Sequence, residues 1–86
     1  MKIKNIFESE KIGNEEVMVS LNSEIFSGII RTNDTASFII SCIKEDTTLE
    51  EVSLKLCSKY QISQEQASKA VNKIISQLLE LNLIEE

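Results

Sequence analysis

Histidine and proline are absent from this 86-residue chain, tyrosine and arginine occur once each, and only two glycines are present. Without histidine, the side chain that most often moves protons near neutral pH is missing. The lone Tyr60 falls at the end of a predicted helix, and the many carboxylates lie on predicted helical surfaces or in caps, where solvation accounts for them. Gly13 and Gly28 stand alone, so no glycine-rich loop can cradle a phosphate. Catalysis by this chain alone is therefore not expected, and no cofactor is called for. A zinc site would lack both histidine and a CxxC pair and would have to recruit carboxylates, a poor ligand set for a structural site, so no metal is expected. Cys42 and Cys57, fifteen residues apart, each sit in a predicted helix beside apolar neighbours. They read as two small, buried or half-buried thiols of a cytoplasmic protein rather than a disulfide or half a metal site. No apolar run approaches the roughly 18 residues of a membrane span. Glu8 and Glu10 interrupt the stretch behind Lys2 and Lys4, which argues against a secretory signal.

What remains is an ordinary globular composition, 42% apolar and 27% charged, with a net charge of −5. The length bounds the chain to a single domain, residues 1–86, whose core is marginal unless every element shares it. Residues 1–16 are weakly patterned. Ile3, Ile6 and Phe7 suit an edge strand, and Lys11-Ile12-Gly13-Asn14 suits a turn-bearing loop. Val17-Met18-Val19-Ser20-Leu21 alternates with period two and predicts a half-buried strand with Val17, Val19 and Leu21 inward. Asn22-Ser23-Glu24 then predicts a short hairpin loop, and Ile25–Arg31 a return strand that is apolar on both faces, with a bulge or close approach at Gly28.

Three helices follow. Asn33 or Asp34 caps the first, about Asp34–Lys44. Thr48 and Glu51 predict a capping box for the second, which would bury Leu49, Val52, Leu56 and Cys57 and stop near Tyr60. Ile62 is expected to point inward from the next turn. Ser63 and Gln66 predict another box opening the longest helix, about Gln64–Leu81, with Asn82 as its left-handed C-terminal residue. Hairpin first and helices after predict an α+β domain of winged-helix character, with the helices on one face of an antiparallel sheet.

The longest helix is read by angle at about 100° per residue. Ala67, Ala70, Val71, Ile74, Leu78 and Leu81 form an apolar stripe. Ile75 and Leu79 fall beyond its centre beside Ser68 and Asn72, either as the margin of a broad core face or as an apolar shoulder lining a groove beside the sheet. Glu65, Lys69 and Lys73 follow at i, i+4 and i+8, as an ion-pair ladder or as contacts for an acidic partner.

Two binding readings compete. In a winged helix-turn-helix DNA regulator the Ser63-capped helix would enter the groove. It contains no arginine, and the chain's acidic balance leaves little charge to neutralise phosphates. Alternatively, Ile25–Arg31 is a sheet edge whose free backbone groups pair with an incoming extended peptide. An apolar edge is otherwise an aggregation liability, so a partner gives it a reason.

The run Gly28-Ile29-Ile30-Arg31-Thr32-Asn33-Asp34-Thr35-Ala36 resembles the signature of the pyrroloquinoline quinone biosynthesis protein D (PqqD-like) family. Thr48-Leu49-Glu50-Glu51-Val52, Tyr60-Gln61-Ile62, Glu65-Gln66-Ala67 and Leu78–Ile84 follow its further pattern in order and spacing. Thr32 stands where that family usually has leucine, and Asn82 where it usually has glycine. The resemblance spans about Val17–Glu86 and implies a three-stranded antiparallel sheet followed by three helices. It further implies a recognition element for the leader of a ribosomally made precursor peptide. The leader would be bound as an added strand and presented to a partner such as a radical SAM enzyme, a cyclodehydratase or a leader protease. Placed on this sequence, the peptide-binding residues are Ile25, Phe26, Ser27, Gly28, Ile29, Ile30 and Arg31 of the third strand, with Ser68, Lys69, Asn72, Ile75 and Leu79 of the last helix. No nucleic acid or membrane partner is implied, and the expected state is a monomer or weak dimer.

Overall fold

A computed structural model describes residues 1–13 and 15–85. Strand β1 (Lys2–Ile3) leads into β2 (Phe7–Ile12), β3 (Glu15–Ser20) and β4 (Ile29–Thr32), and then come α1 (Asp34–Cys42), α2 (Leu49–Tyr60), α3 (Gln64–Glu80) and β5 (Ile84–Glu85). β2, β3 and β4 form an antiparallel sheet in that order, and β1 pairs with β5 in a separate two-stranded ribbon. The architecture is α+β, with α1 packed directly on one face of the three-stranded sheet and α2 and α3 packed against α1 and against each other. The weakly patterned N-terminus holds two strands. The predicted loop at Lys11-Ile12-Gly13-Asn14 is shorter, since β2 runs through Ile12 and Gly13 turns at φ 63°. Asn14 lies outside the described residues.

The helix boundaries follow from local chemistry. The Asn33 side-chain oxygen accepts the Ala36 N–H at 2.9 Å and starts α1 directly after β4 ends. Asn33→Ala is expected to cost about 1 kcal/mol, read as a lowered denaturant midpoint with an unchanged slope. Ser63 and Gln66 form the full reciprocal box at the start of α3. At α2 the box is only half made. Thr48 accepts the Glu51 N–H, but the Glu51 carboxylate takes the Thr47 hydroxyl instead, at 2.9 Å. Gln61 and Asn82 adopt left-handed backbone at φ 52° and 60° and end α2 and α3. Leu83 N–H then donates to the Leu78 carbonyl and turns the chain back under the core.

Met18, Ile39, Ile40, Ile43, Val52, Leu56, Val71 and Leu83 are fully buried, joined by Ile3, Ala67, Ile75, Leu78 and Ile84. Ile62 packs half-buried against this core, as expected, and Cys57 is half-buried, but Leu49 is largely exposed and Ser53 takes the inward position on α2. Ser53 is accommodated because its hydroxyl donates to the Leu49 carbonyl at 2.8 Å. β3 is turned over relative to the expectation. Met18 is 1% exposed, whereas Val19 is 44% and Leu21 68% exposed. The inward parity therefore carries Glu16, Met18 and Ser20. It is tenable because the Glu16 carboxylate accepts from Ser37 and its carbonyl accepts from the Thr32 hydroxyl, both at 3.1 Å.

The return strand is shorter than the predicted Ile25–Arg31. Asn22 accepts the Glu24 N–H through its side chain and the Ile25 and Phe26 N–H groups through its carbonyl, which holds residues 22–26 in a turn. Gly28 then takes φ 132°, a conformation that side-chain-bearing residues rarely adopt, before pairing begins at Ile29.

Candidate functional site

β4 is an edge of the sheet, and its register fixes which of its backbone groups are free. Met18 pairs with Ile30, Val17 with Arg31 and Val19 with Ile29. Ser20 N–H donates to the Gly28 carbonyl, which makes Ser20 and Gly28 a hydrogen-bonded pair. Hydrogen-bonded and non-bonded pairs alternate along an antiparallel ladder, so Ile30 and Thr32 bond inward to β3. The N–H and C=O groups of Ile29 and Arg31 consequently point away from the sheet. Side chains follow the same alternation: Ile30 and Thr32 lie on the helical side, while Ile29 and Arg31 are exposed.

Beside this edge runs a cleft of about 340 Å³ between β4 and α3, floored by Ile30, Ala36, Ile40 and Leu78 and walled by Ile74 and Leu81. Arg31, Gln77 and Glu80 stand at its rim. The cleft is apolar inside and open along one side, and next to it lie unpaired strand groups. That combination suits an extended chain whose backbone pairs with β4 while alternate side chains enter the cleft.

The predicted residues divide sharply. Ile29, Ile30 and Arg31 are at the edge. Ile25, Ser27 and Gly28 belong to the preceding connection, and Phe26 packs against Phe7 of β2, with the rings tilted and their centroids 5.9 Å apart. On α3, Ser68, Lys69, Asn72, Ile75 and Leu79 do not line the cleft. Ile75 is 4% exposed and belongs to the core, and Leu79 lies on the far side of it in solvent. The buried arc of Ala67, Leu78, Val71 and Ile75 is centred about 35° from Ala67 at about 100° per residue. That rotation brings Ile74, Gln77 and Leu81 to the cleft and carries the Ser68–Leu79 flank away from it. The cleft is instead lined by Ile74, Gln77, Glu80 and Leu81 from α3 and its C-terminal end and by Ala36 and Ile40 of α1, none of them among the predicted residues. The signal for Ile74 and Leu81 was the other margin of the same apolar stripe.

The exposed face of α3 carries Lys69, which pairs with Glu65 at 3.5 Å across one helical turn. Away from the cleft, the Met1 ammonium donates to Asp46 and holds that carboxyl below its usual pKa. Among the described residues no helix is long and apolar enough to cross a membrane, and no group of three potential metal ligands is gathered. Cys42 and Cys57 are free thiols.

A family model described as Coenzyme PQQ synthesis protein D (PqqD) matches residues 15–84, which include β3, β4, all three helices and the start of β5. Two solved structures share the fold. TbiB1 in complex with the TbiA(beta) leader peptide superposes with a TM-score of 0.80 at 22% identity, over 99% of this chain and 95% of that one. A lasso peptide synthetase B1 complexed with its leader peptide gives 0.76 at 16% identity, over 99% and 96%. No curated protein sequence matches the chain.

Proposed function

Because the chain belongs to the coenzyme PQQ synthesis protein D (PqqD) family, we propose that it binds the leader segment of a ribosomally made precursor peptide by strand addition to β4. It then presents the bound peptide to a maturation enzyme. The observation that carries this reading is the unpaired backbone of Ile29 and Arg31 beside an apolar cleft. Two neighbours of the same fold are complexes with leader peptides, which supports the reading. The role is one of holding: the backbone of Ile29 and Arg31 fixes register, the cleft selects side chains, and no chemistry is required of this chain. A cytosolic setting suits the two free thiols. The partner enzyme would be of the radical SAM, cyclodehydratase or leader-protease kind.

The bound peptide's side chains opposite Ile30 enter the cleft, so they should be aliphatic or aromatic. Those opposite Ile29 and Arg31 face outward and can be polar. Panning a library of random twelve-residue peptides against the protein is expected to enrich bulky apolar residues at alternate positions. An enriched peptide, titrated into labelled protein, should shift the amide resonances of Ile29–Thr32 and of Ile74–Leu81. Enrichment without that spacing, or shifts that avoid β4, would overturn strand addition.

A further inference from the structure

A second cleft, of about 350 Å³, lies at the other side of the sheet, lined by Lys2, Lys4, Lys44, Phe7, Ser9 and Met18 together with Ile3 and Asn5. We propose that it docks an acidic, extended segment of a partner protein, independently of peptide binding at β4.

Its charge runs against that of the whole molecule. The chain has 14 acidic and 9 basic residues, yet three of the nine basic residues line this one cleft and no acidic residue does. Among the described residues none of the three lysines is within ion-pair distance of a carboxylate. Two acids near this segment are engaged elsewhere or set aside, although Asp46 also feels the charge of Lys2. Asp46 is bonded to the Met1 ammonium, and Glu85, opposite Lys2 in the β1–β5 ladder, does not line the cleft.

The lysines are held in place by the backbone. Ile3 N–H donates to the Ile43 carbonyl at 2.8 Å, which ties the Lys2–Lys4 segment to the residue preceding Lys44. Lys4 N–H donates to the Leu83 carbonyl, also at 2.8 Å. Lys2 and Lys4 are half-buried, so their stems lie along the protein with part of their rotamer freedom already lost, which lowers the cost of ordering them on binding.

The shape of the site favours a peptide over a compact anion. Three lysines share the lining with the apolar Ile3, Phe7 and Met18, and no helix N-terminus contributes to it. β2, the opposite edge of the sheet from β4, borders it. A long polyanion such as nucleic acid would be repelled by the net charge of −5, whereas a short acidic segment meets only the local positive field. The two clefts are joined by one row across the sheet, Ser9–Met18–Ile30, with Met18 flooring one and Ile30 the other. Two strand spacings of about 4.8 Å separate the edges, so both sites can be filled at once. Residues 2–9 precede the segment that the family model matches, so the cleft is built largely from residues outside that segment.

The test is a titration of labelled protein with a blocked hexapeptide of alternating glutamate and leucine, beside the same peptide with glutamine for glutamate. The expected result is amide shifts at residues 2–9 and Lys44 with the glutamate peptide only, weakening by about tenfold when salt rises to roughly 0.3 M. The triple variant Lys2→Gln, Lys4→Gln, Lys44→Gln should lose about tenfold in affinity, while Lys69→Gln with Lys73→Gln on α3 should lose none. Equal binding of the glutamine peptide, or equal loss in the α3 variant, would overturn the proposal. So would the same shifts from inorganic phosphate, which would make the cleft a general anion site. Because the readout excludes β4, its failure is distinguishable from a failure of strand addition there.

Discussion

Arg31→Pro is expected to weaken peptide binding at β4 severely while the domain stays folded, whereas Arg31→Gln is expected to keep most of the affinity. Arg31 N–H points to the open edge, so proline there removes no bond of the β3–β4 ladder. The residue before it, Ile30, is already extended, as a residue preceding proline prefers to be. What proline removes is a donor for the incoming strand, leaving a peptide carbonyl unpaired beside an apolar cleft. A lost hydrogen bond plus the desolvated acceptor amounts to about 2–3 kcal/mol, or roughly 30- to 150-fold in the dissociation constant. Glutamine at the same place keeps the backbone and changes only an exposed side chain. The check is calorimetric titration of an enriched peptide against both variants, with thermal unfolding alongside. Similar losses in both variants would mean that the Arg31 side chain, and not the strand edge, is what the peptide reads. Ile30→Pro provides the contrast. Its N–H belongs to the ladder, so that variant should lose the fold itself.

The parts of this fold that were legible in the sequence are those decided within four residues. Asn33, Ser63 and Asn82 act through their own side chains or backbone on the adjacent turn, and the helix boundaries they set agree with the structure to one or two residues. The sheet was harder for a physical reason. Val17, Met18 and Val19 are three apolar residues in succession, so period two cannot say which parity is buried. The decision comes from across the molecule, where Ser37 and Thr32 satisfy the polar Glu16 on the inner face and let Met18 pack against the helices. An edge strand was expected to include Ile3, but the pairing of β1 with β5 was invisible for a related reason. Each has two residues, and they pair the two ends of the chain through Lys2–Glu85 and Ile3–Ile84, a contact with no local signature. The turn at Asn22 was seen, but its carbonyl captures Ile25 and Phe26 as well, and this removes the first half of the predicted strand.

The candidate site shows the same limit at higher resolution. A stripe on a helix can be read from spacing, but its two margins are equivalent until the partner surfaces are known. One residue step is about 100°, and the expected stripe's centre lies about half of that from the centre of the buried arc. The error was enough to exchange Ile74 for Ile75, and with it the wall of the cleft for the core.

Those two neighbours therefore make the sharpest test of how α3 sits. Ile75→Ala is expected to cost about 2–4 kcal/mol of stability, because its side chain is enclosed and the space it leaves can only partly collapse. For a domain of this length, with a total of about 5–10 kcal/mol, that is a severe loss. Ile74→Ala should cost about 1 kcal/mol or less in stability, since its half-buried side chain already faces the cleft. Its effect should appear in binding as a loss of roughly tenfold, because peptide side chains entering the cleft would lose one of its two walls. Leu79→Ala, 49% exposed and outside the cleft, should change both quantities by about 0.5 kcal/mol or less. Urea unfolding and peptide titration of the three variants separate the roles. If Leu79 rather than Ile74 controlled affinity, the peptide would lie on the opposite flank of α3, and the cleft beside β4 would not be its seat. If Ile74 controlled affinity and Ile75 only stability, the peptide would be confined between β4 and the margin of α3 nearest to it. The free groups of Ile29 and Arg31 already face that way.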